Sequence, residues 1–327
     1  MKGFLSPPNQ QPNIHQMKSQ LVSIVVPVYN EEENISEMLR RLDVVFAPLE
    51  GIEHEIIFVD DASIDRTLQI LREAAGFHKH IKVVRFSRNF GHQSAVTAGL
   101  ECAKGDAVVV IDGDLQDPPE VVSAFIHKWR EGYDVVYGIR KKRKEWWGKR
   151  LAYYAFYRLM RASAQGVEMP VDAGDFSLIS RRVLDVIKSL PERNRFIRGL
   201  RAWVGFRQMG IPYERHERYA GKPKYTFVRL VRLAYDGLFS FSSVPLHMIT
   251  FLGAVVSATS FFAILVVLYF RLFTDLSIPG FASLATITLF LGGIQLLSIG
   301  VIGEYVGRVY DETKRRPNYV IEEKIGL

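Results

Sequence analysis

Short apolar runs alternate with amphipathic segments over the first 111 residues. The apolar runs are rich in β-branched residues and predict four strands, at Val22–Val28, Glu55–Val59, Lys82–Phe86 and Ala107–Ile111. Helical spacing of apolar positions follows the first three, from the acidic Glu31–Glu33 to about Phe46, over Asp65–Ala75 and over His92–Ala103. Strands that alternate with helices favour an α/β fold, with a mainly parallel sheet covered on both faces.

The last third of the chain has a different pattern. Asp, Glu, Lys and Arg are absent from Gly237 to Phe270 and again from Leu276 to Gly303. Each stretch exceeds the roughly 20 residues that a helix needs to cross a bilayer. Two transmembrane helices are therefore predicted, at about 243–270 and 281–303, rather than two buried helices of a soluble protein.

The charges that flank these stretches predict their orientation. Basic residues precede the first span (Lys222, Lys224, Arg229, Arg232) and follow the second (Arg308, Lys314, Arg315, Arg316). The positive-inside rule places both flanks in the cytoplasm. We expect a multi-pass protein of the inner (plasma) membrane with both termini cytoplasmic, the last residues forming a basic tail.

Segments 1–20 and 225–240 complete the predicted organisation. The first holds three prolines and no continuous apolar core, so it is interpreted as a flexible tail rather than a signal peptide. The second interleaves Arg229 and Arg232 with apolar residues, which is typical of an amphipathic helix on the membrane surface. The domain between them is expected to span 21–224.

Composition excludes a disordered chain and a disulfide scaffold. Of 327 residues 48% are hydrophobic, and the single cysteine, Cys102, has no partner for an internal bridge. The net charge of +7 is concentrated between Arg140 and Arg161, where nine basic residues face one acid, Glu145. With the aromatic residues among them, these bases suit an anionic lipid surface or lipid phosphate. Nucleic acid is the competing partner, which the adjacent spans disfavour.

Acidic residues follow two of the predicted strands. Asp60 and Asp61 end the second strand, and Asp112-Gly113-Asp114, with Gln116 beyond, ends the fourth. Because the carboxyl ends of parallel strands meet at one edge, these side chains are expected to converge. Oxygen ligands at this spacing suit Mg²⁺ or Mn²⁺ that bridges a diphosphate.

Four segments resemble the family 2 glycosyltransferases of the GT-A fold: VSIVVPVYNEEENI, FVDDASIDRT, RFSRNFGHQSAVTAGL and DGDLQDPPE. The likeness runs from about Leu21 through both spans. Within that family, the chain is most similar to the polyprenyl-phosphate glycosyltransferases, the group that includes dolichol-phosphate mannose synthase. The segments SRNFGHQSA and DAGDFSLISRR most resemble the bacterial bactoprenol glucosyltransferase branch of this group. The resemblance implies a Rossmann-like GT-A domain in the cytoplasm.

The resemblance also implies residues that bind the donor. The nucleotide would contact the first strand's loop and the Asp pair, that is Pro27, Tyr29, Glu31, Asp60 and Asp61. The metal, diphosphate and sugar would be arranged by Asp112, Asp114 and Gln116, and the diphosphate would be closed in by a basic loop through Arg218 and Lys224. Pro223 stands in that loop where the family usually has Ser.

On the acceptor side, the resemblance assigns the lipid phosphate to basic residues after the nucleotide domain's last strand. These map onto Arg140 and Arg150, with Lys149 as the alternative to either and Tyr154 nearby. Asp172 and Asp175 either contact the sugar or orient the acceptor, as further catalytic residues, or cap and form turns before the apolar run that follows.

The predicted reaction is inverting, metal-dependent transfer of a hexose to polyprenyl (undecaprenyl) phosphate, most simply glucose from UDP-glucose. Mannose, N-acetylglucosamine or an amino sugar are open alternatives as the donor sugar. A processive polysaccharide synthase lacks support because no QxxRW segment occurs near Arg198–Trp203. A nucleotide-sugar-binding scaffold without turnover is the alternative outside enzymes.

Self-association is also expected. Small residues in the spans, such as Gly253, Ala254, Gly292 and Gly293, permit close helix packing. Relatives in the bacterial branch are homotetramers, and the resemblance implies the same here.

Overall fold

The computed structural model describes residues 19–140, 173–192, 195–215, 244–273 and 280–327. Its strands are β1 Gln20–Val28, β2 Ile52–Asp60, β3 Ile81–Phe86, β4 Ala107–Val110, β5 Val135–Arg140, β6 Ala173–Ser180, β7 Gln208–Tyr213 and β8 Ile321–Ile325. The helices, numbered over the described ranges, are α1 Ile35–Phe46, α2 Thr67–Phe77, α3 His92–Cys102, α4 Val121–Arg130, α5 Arg181–Ser189, α6 Ile197–Trp203, α7 Val244–Phe273 and α8 Phe281–Thr313.

The strands form one eight-stranded sheet in the order β7-β5-β6-β4-β1-β2-β3-β8. Strands β4, β1, β2 and β3 pair in parallel, and β7 is parallel to β5. Strand β6 runs antiparallel between β4 and β5, and β8 runs antiparallel along β3. This confirms the predicted α/β architecture with a mostly parallel sheet.

Two apolar layers cover the sheet because residues alternate sides along each strand. Val22, Ile24 and Val26 of β1 face a layer that includes Leu42 of α1 and Phe125 of α4. Val25 faces the opposite layer, formed with α3, α5 and α6. A Cβ placed on Gly99 of α3 would lie 2.2 Å from Val25 Cγ1, so this helix packs directly on the central strand.

Four strands and three helices lie where the hydrophobic pattern predicts them, with ends shifted by up to four residues. Strands β5 to β8 were not predicted. Two of them, β6 and β8, are the antiparallel members, and their pairing depends on contacts between residues far apart in the chain.

Helices α7 and α8 occupy the charge-poor region, with 30 and 33 residues. Among the described residues, the 24-residue segment Phe290–Thr313 is long and apolar enough to cross a membrane, by length and composition. The apolar segment of α7, Met248–Ala263, is shorter. The pair of spans at 243–270 and 281–303 is therefore not confirmed and stays a prediction.

After α8 the chain returns to the sheet. Strand β8 pairs with β3, and Tyr319 stacks on Phe86 with ring centroids 4.9 Å apart. Arg72 and Arg85 pair with Glu323 and Glu322 at 2.5 and 2.8 Å. The segment predicted as a basic tail thus contains a strand that is anchored to the sheet edge.

Candidate active site

The loops after β1 and β2 are joined by hydrogen bonds at the carboxyl edge of the sheet. The N–H of Asp61 donates to the carbonyl of Val28 at 3.0 Å. Asn30 donates its N–H to Ser63 Oγ and accepts the N–H of Ile64 on Oδ1, both at 2.9 Å. Asn30 adopts a φ of 52°, which Asn tolerates better than most residues. The two loops therefore form one ledge beside the strand ends.

Glu31 belongs to this ledge, and its bonds face the helices. Its N–H donates to Thr67 Oγ1 at 2.9 Å, and its carboxylate accepts the amide of Asn34 at 2.5 Å. Pro27 is buried in β1, while Tyr29 is half-buried just beyond it. The structure thus groups the three predicted first-loop residues next to the Asp pair.

Asp60 and Asp61 differ in how their carboxylates are used. Both oxygens of Asp61 accept backbone N–H groups, from Phe90 at 2.7 Å and Gly91 at 2.9 Å. Asp60 is fully buried and accepts the N–H of Ser63 at 3.1 Å, whereas its Oδ2 has no hydrogen-bond partner among the described residues. Burial raises the pKa of both carboxyl groups. Asp61 therefore fixes the start of α3, and Asp60 keeps a free acceptor.

The Asp112-Gly113-Asp114 turn packs tightly against β1. A Cβ on Gly113 would lie 2.7 Å from Val28 Cγ1 and 3.2 Å from the carbonyl oxygen of Pro27. The N–H of half-buried Gln116 donates to Asp114 Oδ1 at 3.2 Å. Glycine is thus required at the centre of the turn, and the close packing places the turn beside the ledge formed by the loops after β1 and β2.

Asp112 lies among other charged groups. Its Oδ1 is buried without a hydrogen-bond partner among the described residues, and His92 Nε2 is 3.6 Å away. Burial raises the pKa of Asp112 to about 6; His92 opposes the shift, and the carboxylates of Asp117, Asp175 and Asp114 add to it. A cluster of carboxylates that repel one another is stabilised when a cation binds.

Asp175 is buried on β6 and is held by three side chains. Arg198 donates from Nε and Nη2 at 3.2 and 3.0 Å, Gln93 Nε2 donates at 3.2 Å, and His92 Nε2 lies at 3.2 Å. Burial alone would raise the pKa of Asp175, but Arg198 and His92 hold it well below its usual range. In turn, burial alone would lower the pKa of His92, whereas Asp112 and Asp175 raise it to about 9. Asp175 therefore lies inside a strand, as an ionised group close to Asp112.

Arg140 and Asp117 form the far side of this edge. Arg140 Nε donates to the Tyr213 hydroxyl at 3.2 Å, and its Nη2 lies 3.5 Å from Asp117 Oδ2. The Tyr213 hydroxyl donates to Asp117 Oδ1, which also lies 3.8 Å from Arg215 Nε. Asp117 is thus paired with two arginines, Arg140 and Arg215, next to the Asp112 turn.

The donor atoms at this edge fit a divalent cation. Asp112 and Asp114 supply carboxylate oxygens on one tight turn, and Asp112 Oδ1 has no hydrogen-bond donor among the described residues. Hard oxygen ligands of this kind suit Mg²⁺ or Mn²⁺ better than softer metals.

Residues 23–188 match the family described as Glycosyl transferase family 2. The chain belongs to this family. It is 48% identical over 306 residues to an uncharacterized glycosyltransferase of Bacillus subtilis (strain 168), covering 93% of this chain and 94% of the relative.

Another relative has a more specific name. A bactoprenol glucosyl transferase of Shigella phage SfV is 42% identical over 305 residues, covering 93% of this chain and 98% of the relative. Among solved structures, a mannosyltransferase from Pyrobaculum calidifontis in complex with GDP-Man and Mn²⁺ is 19% identical, covering 88% of this chain and 87% of that chain with a TM-score of 0.46. The family match and these two sequence relatives show that the protein is a glycosyltransferase, as the motifs indicate.

In this family 2 glycosyltransferase, the edge collects ten of the predicted site residues: Pro27, Tyr29, Glu31, Asp60, Asp61, Asp112, Asp114, Gln116, Arg140 and Asp175. Six others lie outside the described residues: Lys149, Arg150, Tyr154, Asp172, Arg218 and Lys224. The predicted interfacial helix, 225–240, also lies outside them. Sequence reasoning missed His92 and Arg198; His92 stands inside the SRNFGHQSA motif, but no local pattern marks Arg198.

Proposed function

We propose that this glycosyltransferase transfers glucose from UDP-glucose to undecaprenyl phosphate at the cytoplasmic membrane face. The products are the polyprenyl-phosphate sugar and UDP. The observation that carries this proposal is that Asp60 and Asp112, beside the ledge of the first two loops, each have one buried carboxylate oxygen without a hydrogen-bond partner among the described residues. The glucosyl donor and lipid acceptor are suggested by the names of relatives that align over 92% or more of this chain.

Asp60 is the proposed contact for the base. A uracil imide N–H is a hydrogen-bond donor, and Asp60 Oδ2 is a buried acceptor without one among the described residues. Pro27, Tyr29 and Glu31 line the same ledge. Asp61 supports this ledge by fixing the backbone of Phe90 and Gly91 rather than by binding the base with its own carboxylate.

Asp112, Asp114 and Gln116 are the proposed holders of Mg²⁺ or Mn²⁺ and the donor diphosphate. When bound, the metal neutralises charge that develops on the leaving diphosphate. Arg218 and Lys224, from the basic loop, are expected to add positive charge on the other side of the diphosphate. The sugar would then lie near Asp175, whose carboxylate is kept ionised by Arg198 and His92.

The transfer step needs no general base. The acceptor phosphate is already ionised at neutral pH, so its oxygen attacks the anomeric carbon while the bond from that carbon to the diphosphate oxygen breaks. The electron pair leaves with UDP, and a single displacement inverts the anomeric centre. Catalysis therefore depends on the alignment of the two anions. On the acceptor side, Arg140, Lys149, Arg150 and Tyr154 would hold the lipid phosphate.

The C-terminal region supports placement at a membrane. Both α7 and α8 expose large apolar side chains, including Phe251, Phe262 and Leu296 at 72%, 67% and 73%. Exposed apolar helices of this length suit lipid better than water. The pairing of β8 with β3 supports a placement of the end of α8 on the same side of the membrane as the sheet. The homotetramer stays a prediction.

The test is an assay with full-length protein in detergent. Undecaprenyl phosphate, Mg²⁺ or Mn²⁺ and a panel of radiolabelled nucleotide sugars are incubated with the protein, and the lipid is extracted. If UDP-glucose is the only donor that labels the lipid, the result supports the proposal. If a different nucleotide sugar labels the lipid, the proposed donor sugar is wrong. Label in a polymer would indicate a polysaccharide synthase, and nucleotide binding without any transfer would indicate a scaffold.

A further inference from the structure

A second group of metal-binding side chains lies at the opposite edge of the sheet. Asp43 belongs to α1, His54 to the first part of β2, and His80 to the turn before β3. One carboxylate oxygen and one ring nitrogen from each histidine all lie within 4.8 Å of one another. His54 precedes Asp60 by six residues on one extended strand, so the two groups are about 20 Å apart. The cluster is therefore separate from the candidate active site.

Packing holds the two imidazole rings in place. Phe46 stacks on His54 with centroids 4.4 Å apart, and His80 meets the other ring edge-on at 4.8 Å. The carbonyl of His80 accepts the N–H of Ile56 at 2.8 Å, which ties the turn to β2. Preorganised rings lose little freedom when they bind a ligand.

His54 has an unsatisfied nitrogen in this packing. Its Nε2 is buried and has no hydrogen-bond partner among the described residues. Buried polar atoms are nearly always paired with protein, water or an ion.

We propose that Asp43, His54 and His80 bind Zn²⁺. Two imidazoles and one carboxylate are a zinc donor set, with a fourth position left for water. Zinc bonds of 2.0–2.1 Å place tetrahedral ligands about 3.4 Å apart, closer than the 4.8 Å limit of this cluster. Asp43 is exposed on the last turns of α1, so its side chain is free to turn inward. The bound ion would link α1 to β2 and to the start of β3.

The test uses Co²⁺ as a spectroscopic substitute for Zn²⁺. Full-length protein in detergent is stripped with a chelator and titrated with Co²⁺ while visible absorption is recorded, followed by displacement with Zn²⁺. The variants Asp43→Asn and His80→Gln each remove one ligand at a position that is not fully buried. His127→Gln removes an exposed histidine of α4 and is the matched control.

Wild-type protein and the His127 variant are expected to develop the absorption of tetrahedral Co²⁺, and Zn²⁺ should abolish it. Both ligand variants should bind Co²⁺ at least tenfold more weakly and lose that spectrum, with an unchanged thermal midpoint in chelator. Asp114→Asn should keep the spectrum, since the other edge is not involved. Absence of the spectrum in wild-type protein, or its persistence in both ligand variants, would overturn the proposal.

Discussion

Two groups of buried charged residues in the same sheet differ in how completely their carboxylates are hydrogen-bonded. Glu55 pairs with Lys82 and accepts the Ser23 hydroxyl at 2.5 Å and the N–H of Lys104 at 2.8 Å. Asp60 and Asp112 at the carboxyl edge are also buried or half-buried, yet each has one buried oxygen without a hydrogen-bond partner among the described residues. Burial of charge is common to both regions, and the unused acceptors distinguish the second.

The pKa values follow the same division. Burial alone would raise the pKa of Glu55, but Lys82, Ser23 and the N–H of Lys104 together lower it. At the other edge, burial raises the pKa of Asp60 and Asp112 because their partners compensate less. The first group is stabilised by the fold itself, whereas the second is the site proposed here for a ligand.

The largest effect is expected for Asp114→Asn. This change removes a proposed metal and diphosphate ligand, so transfer to lipid should fall by at least about 100-fold, as when a transition-state stabiliser is removed. Membrane insertion and the thermal midpoint should not fall. Labelled-lipid extraction at equal folded protein measures the loss.

Glu131→Gln is the matched control, because this exposed carboxylate of the turn after α4 pairs with Lys128 at 2.8 Å, far from the proposed metal ligands along the chain. It should keep full transfer. An Asp114 variant that retains more than half of wild-type activity would remove this residue from the mechanism.

The next largest effect is expected on stability, at the hydrogen-bonded Glu55–Lys82 pair. Glu55→Gln leaves Lys82 charged and buried, which costs about 3 kcal/mol in the free energy of unfolding. Urea unfolding followed by tryptophan fluorescence measures this cost. Transfer per folded molecule should stay at the wild-type level, and a variant that loses transfer without losing stability would contradict the structural role of Glu55.

Asp60→Asn should lower nucleotide affinity without lowering stability, the reverse of Glu55→Gln. The variant should bind UDP about tenfold more weakly, equal to about 1.4 kcal/mol. Its stability should not fall, since burial already disfavours the charged carboxylate. Calorimetric titration and thermal unfolding measure the two quantities.

Asp61→Asn provides the contrast, because one oxygen that accepts an N–H would be replaced by a donor. This neighbour should lose stability as well as affinity. If both variants lose UDP affinity and stability to the same extent, the separate roles given to Asp60 and Asp61 are wrong.

The smallest effect is expected for Arg150→Ala, on the acceptor side. Loss of one of several phosphate contacts should raise KM for undecaprenyl phosphate roughly fivefold, within the range of one charge-assisted hydrogen bond. KM for the nucleotide sugar should change less. Lys128→Ala on α4 is the control, and an equal rise in both KM values for Arg150→Ala would argue against an acceptor role.

Much of the nucleotide half of the fold was predictable because its strands are local signals. In β1, Val22, Ile24 and Val26 face one side of the sheet and Val25 faces the other, and all are apolar. Such a near-continuous apolar run already indicates a sheet that is buried on both faces. Strand β8 could not be foreseen, since its short segment acquires a partner, β3, from residues more than 230 positions earlier.

The site divides in the same way. Asp60, Asp112 and Asp114 were predicted because each follows an apolar strand. The distinct role of Asp61 was not, since its partners, Phe90 and Gly91, come from the next loop. Arg198 is equally hidden in sequence, because only the pairing of β6 with β4 brings its partner Asp175 to this edge.

The most direct test of the central claim is the metal dependence of UDP binding. Calorimetric titration of full-length wild-type protein, with Mn²⁺ and after chelation, should show affinity that is at least tenfold higher with the metal. Asp114→Asn should bind UDP weakly and equally in both conditions. Wild-type affinity that does not change on chelation, or a metal effect that persists in the variant, would contradict the assignment of Asp112 and Asp114 to the metal and diphosphate.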